Sequence, residues 1–133
     1  MILTTKGRYA VMAVVELASE NGNKPISLLA ISQKQQISLS YLEQIFARLK
    51  KAGIVASVKG PGGGYVLGKE KSQITIADII KAIGESIKMT RCSIEKSGCV
   101  SSGVKCKTHQ IWHGLENEIF NYLNSISLHK ICG

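Results

Sequence analysis

At 133 residues the chain is one ordinary domain, or one domain with an appended helix. Its 44% apolar and 20% charged residues are enough to bury a core, so disorder is excluded, while a net charge of +8 and a pI near 9.5 point to a polyanionic partner, nucleic acid ahead of a membrane. No stretch approaches the ~20 apolar residues of a membrane span. The nearest thing to a leader, residues 10–17, is short, broken by Glu16 and ends without a cleavage site, so a cytoplasmic chain without membrane contact is expected, its cysteines held as thiols.

In chain order, Thr4-Thr5 can cap a first helix through Tyr9, Met12, Ala13, Val14 and Leu17, which Asn21-Gly22-Asn23 stops. Its apolar residues cover most of the circumference, so it is expected to be largely buried. Pro25-Ile26 leads into a short second helix over residues 27–35, with Leu28, Leu29 and Ile31 inward. After a tight turn at residues 36–38 comes an amphipathic third helix. Leu42, Ile45, Phe46 and Leu49 recur at i, i+3, i+4 and i+7, Ser40 and Glu43 have capping-box spacing, and Gly53 ends it. Two short helices and a tight turn of this kind form a helix-turn-helix.

The runs at residues 54–58 and 65–67 are β-rich and flank the glycine-rich tip Lys59-Gly-Pro-Gly-Gly-Gly64, which predicts a hairpin. A hairpin directly after a helix-turn-helix is a wing. A further helix, capped by Thr75, carries Ile76, Ile79, Ile80 and Ile83. The last helix, residues 107–125, aligns Ile111, Trp112, Leu115, Ile119, Tyr122 and Leu123 on one side. A terminal helix beyond a polar loop has little of its own domain to cover such a stripe, which implies a partner. The expected fold is therefore mainly α with a small β-hairpin wing: a winged helix-turn-helix with a long C-terminal dimerisation helix. The expected division is a winged helix-turn-helix domain at 1–84, a cysteine-bearing loop at 85–109, and a dimerisation helix with a short tail at 107–133.

No acidic residue lies between Glu43 and Glu70, while Arg48, Lys50, Lys51, Lys59 and Lys69 do. A lone basic run is usually a solvated face; here it coincides with the third helix and the wing, the two elements that meet DNA in winged helices. Ser38, Ser40, Tyr41, Glu43 and Gln44 sit at the start of that helix, where base edges are reached. Gln pairs adenine bidentately and Glu accepts from the cytosine amine, although Glu43 can equally be a capping carboxylate. Arg48, Lys50 and Lys51 suit phosphates. Lys59, beside Gly60, Pro61 and Gly62, suits the minor groove at the wing tip, with Tyr65 behind it.

Between these halves of the chain, Cys92, Cys99, Cys106 and His109 fall within eighteen residues of a Gly/Ser-rich loop. A disulfide would leave one thiol over and needs an oxidising compartment. A Cys–His nucleophile would lack an orienting acid or a second catalytic motif, so no enzyme is expected. Three thiolates and an imidazole suit a metal. Structural zinc usually takes its cysteines in C-x₂₋₄-C pairs, whereas gaps of six make wider loops that favour an iron–sulfur cluster, with zinc still open. Cys132 reads as a bystander, and His113 as a residue that packs or substitutes.

The stretches LTTKGRYAV (3–11) and ISLSYLEQIFARLKKAGIVASVKGPGGGYVLGK (37–69), the Cys-Cys-Cys-His loop and the start of the last helix together resemble the iron–sulfur cluster regulators among the winged-helix transcription regulators. The resemblance spans nearly the whole chain. It implies a homodimer on promoter operators in double-stranded DNA and a [2Fe–2S] cluster on Cys92, Cys99, Cys106 and His109, loaded by the cluster-assembly machinery. It also implies control of cluster-assembly genes, with promoter choice set by cluster occupancy and Glu43 helping to make that choice. Two departures stand out: the gaps between cysteines are one residue longer than usual, and Lys59 stands where arginine is common, keeping the charge but losing the planar fork. The rivals are a regulator of the same fold that uses zinc or another signal, and a cluster carrier that binds no DNA specifically.

Overall fold

The computed structural model describes residues 5–20, 24–85 and 107–133. Helix α1 (Thr5–Ala18) buries Ala10, Ala13, Val14 and Ala18 completely and forms the floor on which the other elements pack. The expected cap at Thr4 and the stop at Asn21-Gly22-Asn23 lie outside the described residues. Helix α2 (Leu28–Gln35) starts at Ser27, whose Oγ accepts from the Ala30 N–H at 3.1 Å. Only Ile31 of α2 is fully buried. Leu29, expected inward, is 53% exposed, because a helix of two turns has room for one buried ridge. Glu16 fastens α2 to α1: it lies 2.5 Å from Lys34 Nζ and accepts from Gln35 Nε2 at 2.8 Å. The hydrogen bond it donates to Glu16, and then the charge of Glu16, hold the exposed Lys34 ammonium above its ordinary pKa.

Gln36 closes α2 in the left-handed region (φ 56°) and turns the chain into α3 (Leu39–Lys51). The cap of α3 is Ser38, whose Oγ accepts from the Tyr41 N–H, not Ser40 as the spacing predicts; Ser40 is already inside the first turn, its Oγ 3.1 Å from that of Ser38. Leu42, Ile45, Phe46 and Leu49 are all 0% exposed, as their periodicity requires, and Gly53 follows the helix at φ 80°. Strands β1 (Val55–Val58) and β2 (Gly64–Leu67) pair antiparallel, Val55 opposite Leu67 and Val58 opposite Gly64. Ile26 adds an isolated rung to β2 by exchanging two backbone hydrogen bonds with Tyr65 (3.0 and 2.8 Å), and this approach is so close that a Cβ on Gly64 would strike the Ile26 backbone. A 3₁₀ turn (Lys71–Gln73) leads to α4 (Ile76–Ala82). This helix carries the chain's true capping box: Thr75 Oγ1 accepts from the Asp78 N–H at 3.1 Å and Asp78 Oδ2 accepts from the Thr75 N–H at 3.0 Å.

Helix α5 (His109–Asn124) packs on α4, and the chain then turns back through a short α6 (Leu128–Cys132). The expected short tail is instead part of the core. Ile76 N–H donates to Ile126 O, Leu128 N–H donates to Ile74 O, and Leu128 is 0% exposed. Leu128→Ala is therefore expected to destabilise the fold by about 2–5 kcal/mol, the cost of a lost buried side chain plus the cavity it leaves; a denaturation midpoint unchanged from wild type would show that the returning segment contributes nothing. The result is a mainly helical winged fold with a two-stranded hairpin. Among the described residues no helix is long and apolar enough to cross a membrane.

Candidate nucleic-acid interface

With four buried residues defining the inner side of α3, its outer side follows from the 3.6-residue turn. Ser40, Gln44, Ala47 and Lys51 run along the middle, flanked by Glu43 and Lys50 on one edge and by Arg48 on the other; all seven are exposed. Three of these seven are cations and one is an anion. Glu43 lies in the second turn, out of reach of the cap, and engages no partner among the described residues. The capping alternative for Glu43 is thus removed: its carboxylate points to solvent on the same edge as Lys50.

The two aromatic residues expected at this face also pack within the fold. The Tyr41 ring is half-buried, edge-on to Tyr9 of α1 at 5.9 Å, and the Tyr65 ring lies against Phe46 at 4.9 Å. Tyr65 thereby props the hairpin against α3. At the hairpin tip Lys59, Gly60, Pro61 and Gly62 are exposed, and Gly60 and Gly62 adopt φ values of 95° and 75° that a side chain would resist. The Gly63 N–H donates to Gly60 O at 2.9 Å, so the tip is a defined turn that presents Lys59 outward. Arg48 Nη1 donates to the Ile83 carbonyl at 2.6 Å.

Of the candidate metal ligands, His109 is described; Cys92, Cys99 and Cys106 lie outside the described residues. His109 is half-buried at the first residue of α5, its ring stacked on that of His113 one turn later at 5.9 Å and 11°. Cys132 is remote in role, packed at the edge of the core with its Sγ 3.7 Å from Ser19 Oγ.

The structure divides the apolar side of α5. Leu123 packs on the chain's own core, and Trp112 and Ile119 are half-buried. Ile111 (61% exposed), Leu115 (40%) and Tyr122 (66%) form an outward stripe that no described residue covers. Of the residues expected at an interface, Ile111, Trp112, Leu115, Ile119 and Leu123, the last packs against the core, while Tyr122 of the same side is exposed.

A helix-turn-helix with an attached wing and a cationic outer face matches a family model described as an iron-dependent transcriptional regulator, Rrf2, over residues 3–133. The chain belongs to the Rrf2 family. Curated relatives named HTH-type transcriptional regulator IscR include those of Cronobacter sakazakii, 50% identical over 98% of this chain and 80% of the relative, and of Escherichia coli, at 49% with the same coverage. Among solved structures, the global cysteine regulator CymR of B. subtilis superposes with a TM-score of 0.83 at 33% identity, covering 99% of this chain and 96% of that one. IscR of T. potens gives 0.80 at 35%, covering 98% and 85%. This Rrf2 chain is a DNA-binding transcriptional regulator of the IscR type and not an enzyme, and the carrier reading falls away with that. Ala47 escaped sequence reasoning because alanine carries no chemical signal; only the helical wheel, once α3 is anchored, places it between Gln44 and Lys51.

Proposed function

We propose that the chain is a homodimeric regulator that reads promoter DNA with α3 and the wing, and senses iron–sulfur status through a [2Fe–2S] cluster on Cys92, Cys99, Cys106 and His109, so controlling the genes of cluster assembly. In this reading residues 1–84 bind DNA, 85–109 carry the cluster, and 107–133 dimerise. The cluster-assembly machinery supplies the cluster. Ser38, Ser40, Glu43 and Gln44 face base edges, Lys50 and Lys51 face phosphates, and Lys59 with Gly60, Pro61 and Gly62 follows the minor groove. Tyr41 and Tyr65 hold these elements in place.

The donor set fits the group: three thiols and one imidazole are the soft, mixed ligands such a cluster accepts, and the imidazole on His109 opens a helix rather than a loop. When bound, a cluster supplies charge and redox sensitivity next to the dimer helix. The observation that carries the reading is the solvent-facing Glu43. An unpaired carboxylate on a cationic DNA-facing edge repels phosphates and base acceptors unless it finds a donor such as the cytosine amine, which makes it a discriminator.

Glu43→Ala is expected to let cluster-free protein bind sites that otherwise require the cluster. Lys50→Ala is expected to weaken all sites alike and to flatten the salt dependence by about 0.9 units of slope. Binding curves of apo and iron-loaded protein on both site types test this. An equal loss on every site in both forms for Glu43→Ala would remove Glu43 from the discrimination. Zinc on the same four ligands is the alternative; iron and sulfide analysis of anaerobically prepared protein separates the two.

A further inference from the structure

Helix α4 ends in a Schellman motif: Gly84 takes φ 79°, its N–H donates to Lys81 O at 3.1 Å, and the Glu85 N–H donates to Ile80 O at 3.3 Å. That motif leaves the carbonyl of Ile83, at the negative end of the helix, without a backbone donor among the described residues. Arg48, thirty-five residues earlier on α3, fills the place with a charge-assisted hydrogen bond at 2.6 Å. Gly84 is shaped to permit it, since a Cβ there would lie 2.9 Å from Arg48 Nη1. Lys51 and Lys81 line the same shallow groove, of about 360 Å³, so the guanidinium shares it with two lysines.

We propose that Arg48 is a positioning residue of the DNA-binding site rather than a phosphate contact: by gripping the C-terminal end of α4 it fixes the rotation of α3, and with it which edge of Gln44, Ala47 and Lys51 enters the groove. The inference rests on α3 being the helix that reads the bases. Its partner in this role is Gly84, a residue with no side chain to offer a phosphate.

The test measures affinity and its salt dependence on one operator for full-length Arg48→Met, Arg48→Lys, Gly84→Asn and the Arg48→Met/Gly84→Asn double variant. Asparagine tolerates the left-handed backbone, and its Cβ displaces only the flexible end of Arg48, so the fold is kept; methionine keeps the arginine stem. Each single variant is expected to lose affinity about tenfold, equivalent to about 1.4 kcal/mol, with no change in salt slope. The double variant should be no worse than either single one, and lysine at 48 should not restore wild-type binding. A slope flattened by about 0.9 in Arg48→Met and restored in Arg48→Lys, or losses that multiply in the double variant, would overturn the proposal in favour of a phosphate contact. Gln44→Ala is run alongside. If it leaves binding unchanged, the assignment of α3 fails and takes this inference with it; if it weakens binding, the Arg48 outcome judges the inference alone.

Discussion

Replacing Cys92, Cys99 or Cys106 by alanine is expected to abolish the visible absorption of anaerobically reconstituted protein and to reduce iron and sulfide per chain to background, because each thiolate would bond an iron directly. His109→Ala is expected to loosen the cluster. His109→Cys is expected to retain one of lower potential, since replacing thiolate by imidazole is what raises the potential of mixed-ligand centres. The five variants form a graded series that a structural zinc site does not produce. Wild-type protein that takes up one zinc and no iron under the same reconstitution would end the cluster reading while leaving the regulator itself untouched.

Ile111→Glu combined with Leu115→Glu is expected to give monomers and to lower operator affinity by 10²–10⁴-fold, the avidity lost when two half-sites are no longer bound together. Both side chains face outward from α5, so the chain should keep its fold, its melting temperature falling only by what the partner contributed. In a two-fold dimer the recognition helices would meet successive major-groove faces about 34 Å apart. Sedimentation at micromolar concentration decides: a wild-type chain that already runs as a monomer refutes the dimer.

Much of this fold could be read from residue order, because the signals are local. The stripe at Leu42, Ile45, Phe46 and Leu49 is strict helical periodicity, and the glycine run after Lys59 has few uses other than a hairpin tip. The misreadings have local causes too. Ser38 and Ser40 both offer a hydroxyl, and the choice between them falls to the left-handed turn at Gln36, which spacing does not reveal. Five residues of α6 are too few to show a period, so Leu128 looked like tail although it closes the core. Tertiary pairings such as Arg48 with Ile83, or Tyr65 with Phe46, leave no trace in sequence at all, since neither partner is unusual where it stands. The division of α5 into an inward and an outward apolar side needed the position of α4, which fixes which side Leu123 takes.

The rung between Ile26 and Tyr65 makes the hairpin an extension of the chain that enters α2, and the Tyr65 ring rests on the inner side of α3. For chimeras between relatives, this sets the size of the exchangeable cassette. A graft of α3 alone would place a foreign residue beneath Tyr65, and a graft of the hairpin alone would press a new backbone on Ile26, where only glycine at 64 leaves room. Specificity should therefore transplant as one block from residue 26 to residue 67, with length changes confined to the five residues between the strands.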